Sequence, residues 1–139
     1  MQGQPGTMQQ NPKYQSIERE VMAFFLRRID ACVSAGVSKE RLLLDPGFGF
    51  GKTLEHNMSL LSGLAEFSSL GLPLLVGISR KTMIGEIVNK PVDQRLCGSV
   101  AAAVLAVERG ANIVRVHDVS ETVDALKVVA AMRGNDLVS

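Results

Sequence analysis

The 139-residue chain carries no apolar run approaching the ~20 residues that a membrane-spanning helix requires. It carries almost no excess of charge either: 15 Lys and Arg stand against 14 Asp and Glu, a formal +1. So even a balance offers no electrostatic footprint for nucleic acid or an anionic membrane surface. Cysteine is scarce. Cys32 and Cys97 have no CxxC or zinc-ligand spacing, so reduced thiols in a cytoplasmic protein are the expectation. Neither a Ser-His-Asp ordering nor a nucleophile elbow is present. No dedicated metal cluster stands out. Asp45, His117 and Asp118 offer three donors, but Mg²⁺ held through water and a bound phosphate suits them better than a closed site. The first 15 residues, MQGQPGTMQQNPKYQ, are polar and contain Gly and Pro, unlike a secretory signal. What is there is 46% hydrophobic and 21% charged, inside the globular range and of a length suited to one domain.

Apolar residues at Ile17, Val21, Phe24, Phe25, Ile29 and Cys32 follow helical spacing, which predicts a helix over 16–35 stopped by Gly36. Leu42-Leu43-Leu44 then reads as a short buried strand ending in Asp45-Pro46-Gly47. Residues 54–70 read as a helix with Met58, Leu61, Leu64 and Phe67 inward and Gly71 as its stop. A strand follows over 74–78, closed by Ser79-Arg80-Lys81, and an Ala-rich helix spans 93–109 before Gly110. The third strand, 112–117, stops at Asp118, and a last helix runs from Ser120 to about Met132, with Asp118 and Glu121 spaced as an N-capping pair. One helix followed by three strand–helix units predicts an α/β fold with parallel strands and crossover helices. The strand ends Asp45, Ser79 and His117 are 34 and 38 residues apart. That spacing is near the about 31 residues per unit of a (β/α)8 TIM barrel, of which three strands are present.

Function in such folds gathers at the C-terminal ends of the strands, where the loops converge on one face. All three ends here are polar: Asp45; Ser79, Arg80 and Lys81; Arg115, His117 and Asp118. Arg115 and His117 are two apart and share a strand face opposite Val114 and Val116, a pairing suited to gripping phosphate or pyrophosphate. The plainer alternative pairs Arg115 with Asp45 or Asp118 and leaves His117 to cap the next helix. Asp45-Pro-Gly-Phe-Gly-Phe-Gly-Lys-Thr53 is neither a P-loop nor a GxGxxG turn. Its alternating glycines let backbone approach a ligand while Phe48 or Phe50 packs on a flat ring; a strained structural turn is the other reading. Asp45 can accept two N–H donors from an amino-pyrimidine edge. Lys81 either donates to a ring atom or carboxylate, or is a solvated surface charge. His56, at a helix start with no ligating neighbour, reads as a surface residue.

LLLDPGFGFGK (42–52), LPLLVGISRK (72–81) and NIVRVHDV (112–119) closely resemble the dihydropteroate synthases of the bacterial folate pathway. MQGQPGTMQQNPKY (1–14) also resembles the stretch after that family's fifth strand. The resemblance implies a TIM-barrel enzyme that condenses 6-hydroxymethyl-7,8-dihydropterin pyrophosphate with 4-aminobenzoate to 7,8-dihydropteroate and pyrophosphate. It implies Asp45, Gly49, Phe50, Gly77 and Lys81 on the pterin, and Phe50, Ser79, Lys81 and Thr82 on 4-aminobenzoate. Thr82 stands where the family usually has Ser. Arg115, Val116 and His117 fall on the pyrophosphate, and Asp45, Lys81, Arg115 and His117 are the implied catalytic set. Residues 1–139 then form part of one pterin-binding domain, the C-terminal portion of the barrel, inactive without the half that precedes it. That other half and the substrate pyrophosphate would hold Mg²⁺. The full-length protein would be a cytoplasmic homodimer, with the surface of 100–107 as one candidate interface. Nucleic acid and membrane are not expected partners. The alternatives are a non-catalytic half-barrel, or another pterin-binding barrel such as a methyltetrahydrofolate methyltransferase domain, whose chemistry needs no pyrophosphate grip.

Overall fold

A computed structural model describes residues 16–134. The stretch 1–14, which carries part of the family resemblance, lies outside the described residues, as does 135–139. The first helix, α1, spans Ile17–Ser34 and buries Ile17, Val21, Phe25 and Ile29. Successive helical residues point roughly 100° apart, so a buried Phe25 turns Phe24 outward, against the expected stripe. Past Gly36, which takes a left-handed φ of 92°, the chain reaches the first strand position. The 42–44 run contributes only one parallel bridge there, Leu44 to Leu74. Leu44 N donates to Pro73 O and Leu75 N to Leu44 O, both at 2.8 Å, while Leu43 faces outward.

Residues 54–70 are not one helix. α2 (Leu54–Ser62) ends at Gly63, and a 3₁₀ segment (Leu64–Leu70) continues to Gly71, whose φ is 69°. The tighter 3₁₀ winding eclipses residues three apart, so Leu64 and Phe67 face the core together. In α2 the inward residues are Asn57, Leu60 and Leu61, and Met58 is exposed, correcting the expected face. Phe67 meets Phe25 edge-on, with centroids 5.4 Å apart, and so ties α1 to this segment.

The second and third strands pair over two residues each: β1 (Leu75–Val76) lies parallel to β2 (Ile113–Val114), with Leu75 opposite Ile113 and Val76 opposite Val114. Between them come α3 (Thr82–Val88) and α4 (Leu96–Glu108), then α5 (Val119–Met132) after β2. The helix α3 is absent from the sequence expectation because Thr82, Ile84, Gly85, Ile87 and Val88 are weak helix formers. The helix packs closely on its neighbour: a Cβ on Gly85 would sit 2.3 Å from the Arg95 guanidinium. Asp118 is the N-cap residue of α5 but makes no side-chain cap, so the pairing with Glu121 does not form. Its carboxylate is engaged by Arg80 instead. Ala102, Ala103 and Ala106 are buried inside the chain, while Ala101 and Leu105 of the same 100–107 segment are exposed. Among the described residues no helix is long and apolar enough to cross a membrane.

The architecture is therefore α/β, with parallel strand–helix units in chain order. Leu60→Ala should lower unfolding free energy by roughly 2–5 kcal/mol, whereas Met58→Ala should stay within about 0.5 kcal/mol. Urea denaturation midpoints compare the two, and equal costs would contradict the face assigned to α2.

Candidate active site

Each strand end opens into a loop on the same side. After Leu44, the backbone of 45–51 is bent by three glycines of positive φ: Gly47 (72°), Gly49 (83°) and Gly51 (64°). An L side chain at such an angle costs roughly 1–2 kcal/mol, which accounts for glycine at every second position. The intervening phenylalanines part company. Phe48 is 1% exposed and belongs to the core; Phe50 is 39% exposed and lies over Lys81, whose Nζ is 4.3 Å from the ring centroid. Of the two phenylalanines, Phe50 alone is available to a ligand.

Side chains fold inward to satisfy the loop's backbone. Asp45 is exposed, and its Oδ1 accepts from Gly47 N at 2.9 Å. Asn57 Oδ1 accepts from Gly49 N at 2.7 Å, and Lys52 Nζ donates to Gly47 O at 2.7 Å and Phe50 O at 3.3 Å. Lys81 Nζ donates to Phe48 O. Lys81 is thus half-buried and anchored, not a solvated surface charge. Burial pushes its pKa below the ordinary lysine range, Arg115 adds to the shift, and Asp45 opposes it. Lys52 goes further, to about 8, through burial and then the nearby Lys81, again opposed by Asp45. Asp45, Lys52, Lys81 and Arg115 therefore share one electrostatic neighbourhood. His56 takes no part in it. Its ring and the Thr53 hydroxyl form a reciprocal capping box at the start of α2, so the expected surface residue has a structural task.

The turn after β1 is locked from several sides. Arg80 adopts φ 56°, a strained value for a residue with a side chain. Its N–H donates to Ser99 Oγ at 2.9 Å, and its carbonyl accepts from Arg95 Nη1 at 2.8 Å. Its guanidinium grips Asp118 through both oxygens, at 2.5 and 3.1 Å. The pairing holds the Asp118 carboxyl below the usual carboxylate range. Asp118 thus belongs to Arg80, not Arg115, and among the described residues no ion pair of Arg115 with Asp45 or Asp118 is formed. Nor does His117 cap α5.

Arg115 and His117 emerge on one face, as their spacing predicts, and line a cavity of about 360 Å³ with Gly77, Ser79 and Lys81. Gly77 makes room for this: a Cβ there would lie 2.8 Å from Arg115 Nη2. Ser79 is buried and its hydroxyl is committed to His117, 2.9 Å from Nδ1 and accepting the His117 N–H at 3.2 Å. When that hydroxyl donates to Nδ1, the ring proton sits on Nε2, which then offers a donor to an anion. Val116 is half-buried beside them. A larger depression of about 800 Å³ shares Arg80 and Lys81 and extends over Gly49, Phe50, Lys52 and the exposed Thr82. Asp45 lines a third hollow, joined to the second through Phe50 and Lys52. The three adjoin through shared lining residues, and six cations (Arg27, Lys52, Arg80, Lys81, Arg95 and Arg115) line them against three acids (Glu20, Asp45 and Glu86).

Sequence reasoning passed over Lys52, Asn57, Arg95 and Ser99, which hold the loops from behind. Nothing in their local spacing marks them. Among the described residues no group of three or more His, Cys, Asp or Glu could hold a metal ion, and both Asp118 oxygens are engaged by Arg80.

A family model described as pterin binding enzyme matches residues 1–117. Dihydropteroate synthase of Escherichia coli (strain K12) is 58% identical over 131 residues, covering 94% of this chain and 46% of that protein. A crystal structure of Yersinia pestis dihydropteroate synthase with a sulfonamide drug complex superposes with a TM-score of 0.94 at 54% identity, covering 96% of this chain and 49% of that one. Dihydropteroate synthase from Xanthomonas albilineans in complex with 7,8-dihydropteroate gives 0.88 at 48%, covering 90% and 48%. The chain spans about half the length of the relatives it matches. With the family model matching most of its length, the chain belongs to the pterin binding enzymes.

Proposed function

We propose that the chain carries the C-terminal portion of a dihydropteroate synthase. The reaction joins 6-hydroxymethyl-7,8-dihydropterin pyrophosphate to 4-aminobenzoate, giving 7,8-dihydropteroate and pyrophosphate. The observation that carries the reading is the arrangement at the strand ends: Lys81 and Arg115 line one cavity, and the Phe50 ring over Lys81 also borders the hollow that Asp45 lines. The Xanthomonas relative's complex with 7,8-dihydropteroate supports the product assigned here. The parallel strand–helix order supports a (β/α)8 barrel of which residues 1–139 are one part of a single pterin-binding domain.

The pterin lies between Asp45 and Lys81, with Gly49, Phe50 and Gly77 about it, and 4-aminobenzoate beside Phe50, Lys81 and Thr82, backed by Ser79. Arg115, the Val116 backbone and His117 take the pyrophosphate. The exocyclic carbon–oxygen bond breaks, its electron pair leaving with pyrophosphate, and the arylamine nitrogen bonds to that carbon and gives up a proton. The chain's residues position the reactants and stabilise separating charge: Arg115 and His117 at the leaving anion, Asp45 at the cationic ring. Mg²⁺ bound through the pyrophosphate would neutralise charge there. Its protein ligand would come from the part of the relatives' length that this chain does not span. We further assign the whole protein to the cytoplasm as a homodimer joined on the α4–α5 side, where Leu105, Val123, Val128 and Met132 are exposed.

The test is a chimera in which this chain replaces the corresponding part of the E. coli relative. The chimera should synthesise dihydropteroate, and the 139-residue chain alone should not. A folded, inactive chimera would refute the reading. In the chimera Asp45→Asn should cost about 2–4 kcal/mol in kcat/KM, since it removes the charge facing the ring. Activity resting on protonated Lys81 is complete below its lowered pKa and declines as pH rises through it, earlier than an ordinary lysine allows. Lys81→Arg stays protonated, so its slower kcat/KM profile should lose that alkaline decline.

A further inference from the structure

Two buried polar side chains have no part in the chemistry above. Lys52 is 6% exposed and Asn57 is 2% exposed, and both face the backbone of the 45–51 loop. A buried ammonium is costly unless it is well paired, and Lys52 has two carbonyl oxygens as its hydrogen-bond acceptors, those of Gly47 and Phe50. Asn57 spends its amide on the carbonyls of Lys52 and Thr53, at 3.4 and 2.8 Å, and its oxygen on Gly49 N–H at 2.7 Å. Together they bind the loop on either side of Phe50, the residue whose ring covers Lys81.

We propose that Lys52 and Asn57 are positioning residues, a latch that fixes the glycine–phenylalanine loop so that the Phe50 ring forms a standing wall of the substrate groove. The functional half of this inference rests on the reading of that groove as the pterin and 4-aminobenzoate site. The latch itself rests on geometry alone. A loop with left-handed glycines at 47, 49 and 51 has many other conformations open to it, because glycine loses more freedom on ordering than any other residue. Backbone bonding inside 45–51 includes a long bond, Phe50 N to Gly47 O at 3.3 Å, which holds the turn weakly. Selection falls to side chains from outside the turn. Burial of Lys52 is retained although it lowers the ammonium's pKa to about 8, which fits a cation kept for its contacts.

The experiment labels the full 139-residue chain with 4-fluorophenylalanine, assigns the Phe50 fluorine line with Phe50→Leu, and compares Lys52→Met and Asn57→Leu with the parent. The Phe50 line should move in both variants while the lines of Phe25 and Phe67, in the core, stay. In the same samples the dissociation constant for 4-aminobenzoate, used as the probe, should rise at least fivefold. A Phe50 line coincident with the parent's in Lys52→Met overturns the latch, as does a displaced line with 4-aminobenzoate affinity unchanged within twofold. If Asn57→Leu fails to fold, Lys52→Met decides, because it keeps an unbranched apolar stem and removes the ammonium with its hydrogen bonds to Gly47 O and Phe50 O. A parent chain that binds no 4-aminobenzoate would count against the function reading; a displaced Phe50 line would then still support the latch.

Discussion

Every candidate site residue owes its place to the parallel register that joins Leu44 to Leu74, Leu75 to Ile113 and Val76 to Val114. Parallel strands run their ends to the same side, so whatever follows each one must meet there. The pairing is short in extent but sharply defined. Arg115 N donates to Val76 O at 2.9 Å, which brings Arg115 beside Gly77, where a missing side chain leaves room for its guanidinium. A slip of one residue would exchange Arg115 and His117 for Val114 and Val116 on the groove side.

With the strand ends aligned, the groove collects more positive than negative charge. Lys52, Lys81, Arg80 and Arg115 lie along it. The chain as a whole has only a formal +1, so this excess is local. Such crowding has to be held in place. Arg80 is tied to Asp118 and Lys81 to the Phe48 carbonyl, while Lys52 is walled into the glycine loop. Arg115, left without such a partner among the described acids, remains the cation most available to an anionic ligand. The strained φ of Arg80 is kept by contacts to its N–H, its carbonyl and its guanidinium, and it directs Lys81 across to the neighbouring loop.

Much of this was legible in advance. Helical spacing gave α1 and α5 nearly to the residue, and alternation put Arg115 and His117 on one face. Elsewhere local pattern misled. Met58 sits at helical spacing with Leu61, but α2 turns Asn57, Leu60 and Leu61 inward and leaves Met58 exposed, while Leu64 and Phe67 are buried as expected. The weak helix formers of α3 gave no local signal, although the helix forms and Gly85 within it packs closely against Arg95. Asp118 looked like a cap for α5 because capping is a local arrangement; its actual partner, Arg80, is 38 residues away.

The sequence by itself determined the α/β order, the polar strand ends and the glycine–phenylalanine loop, because backbone preference and side-chain period are local properties carried by neighbours in the chain. Only the tertiary structure decided which phenylalanine enters the core and which faces the groove, which acid pairs with Arg80, and that Lys52 and Asn57 stand behind the loop. Those outcomes depend on groups five to 38 residues apart being brought within hydrogen-bond distance, and on the energetic cost of leaving a buried polar atom unpaired. Local pattern does not carry that information, because Asp118 reaches Arg80 from another strand end and Asn57 reaches Gly49 from the following helix.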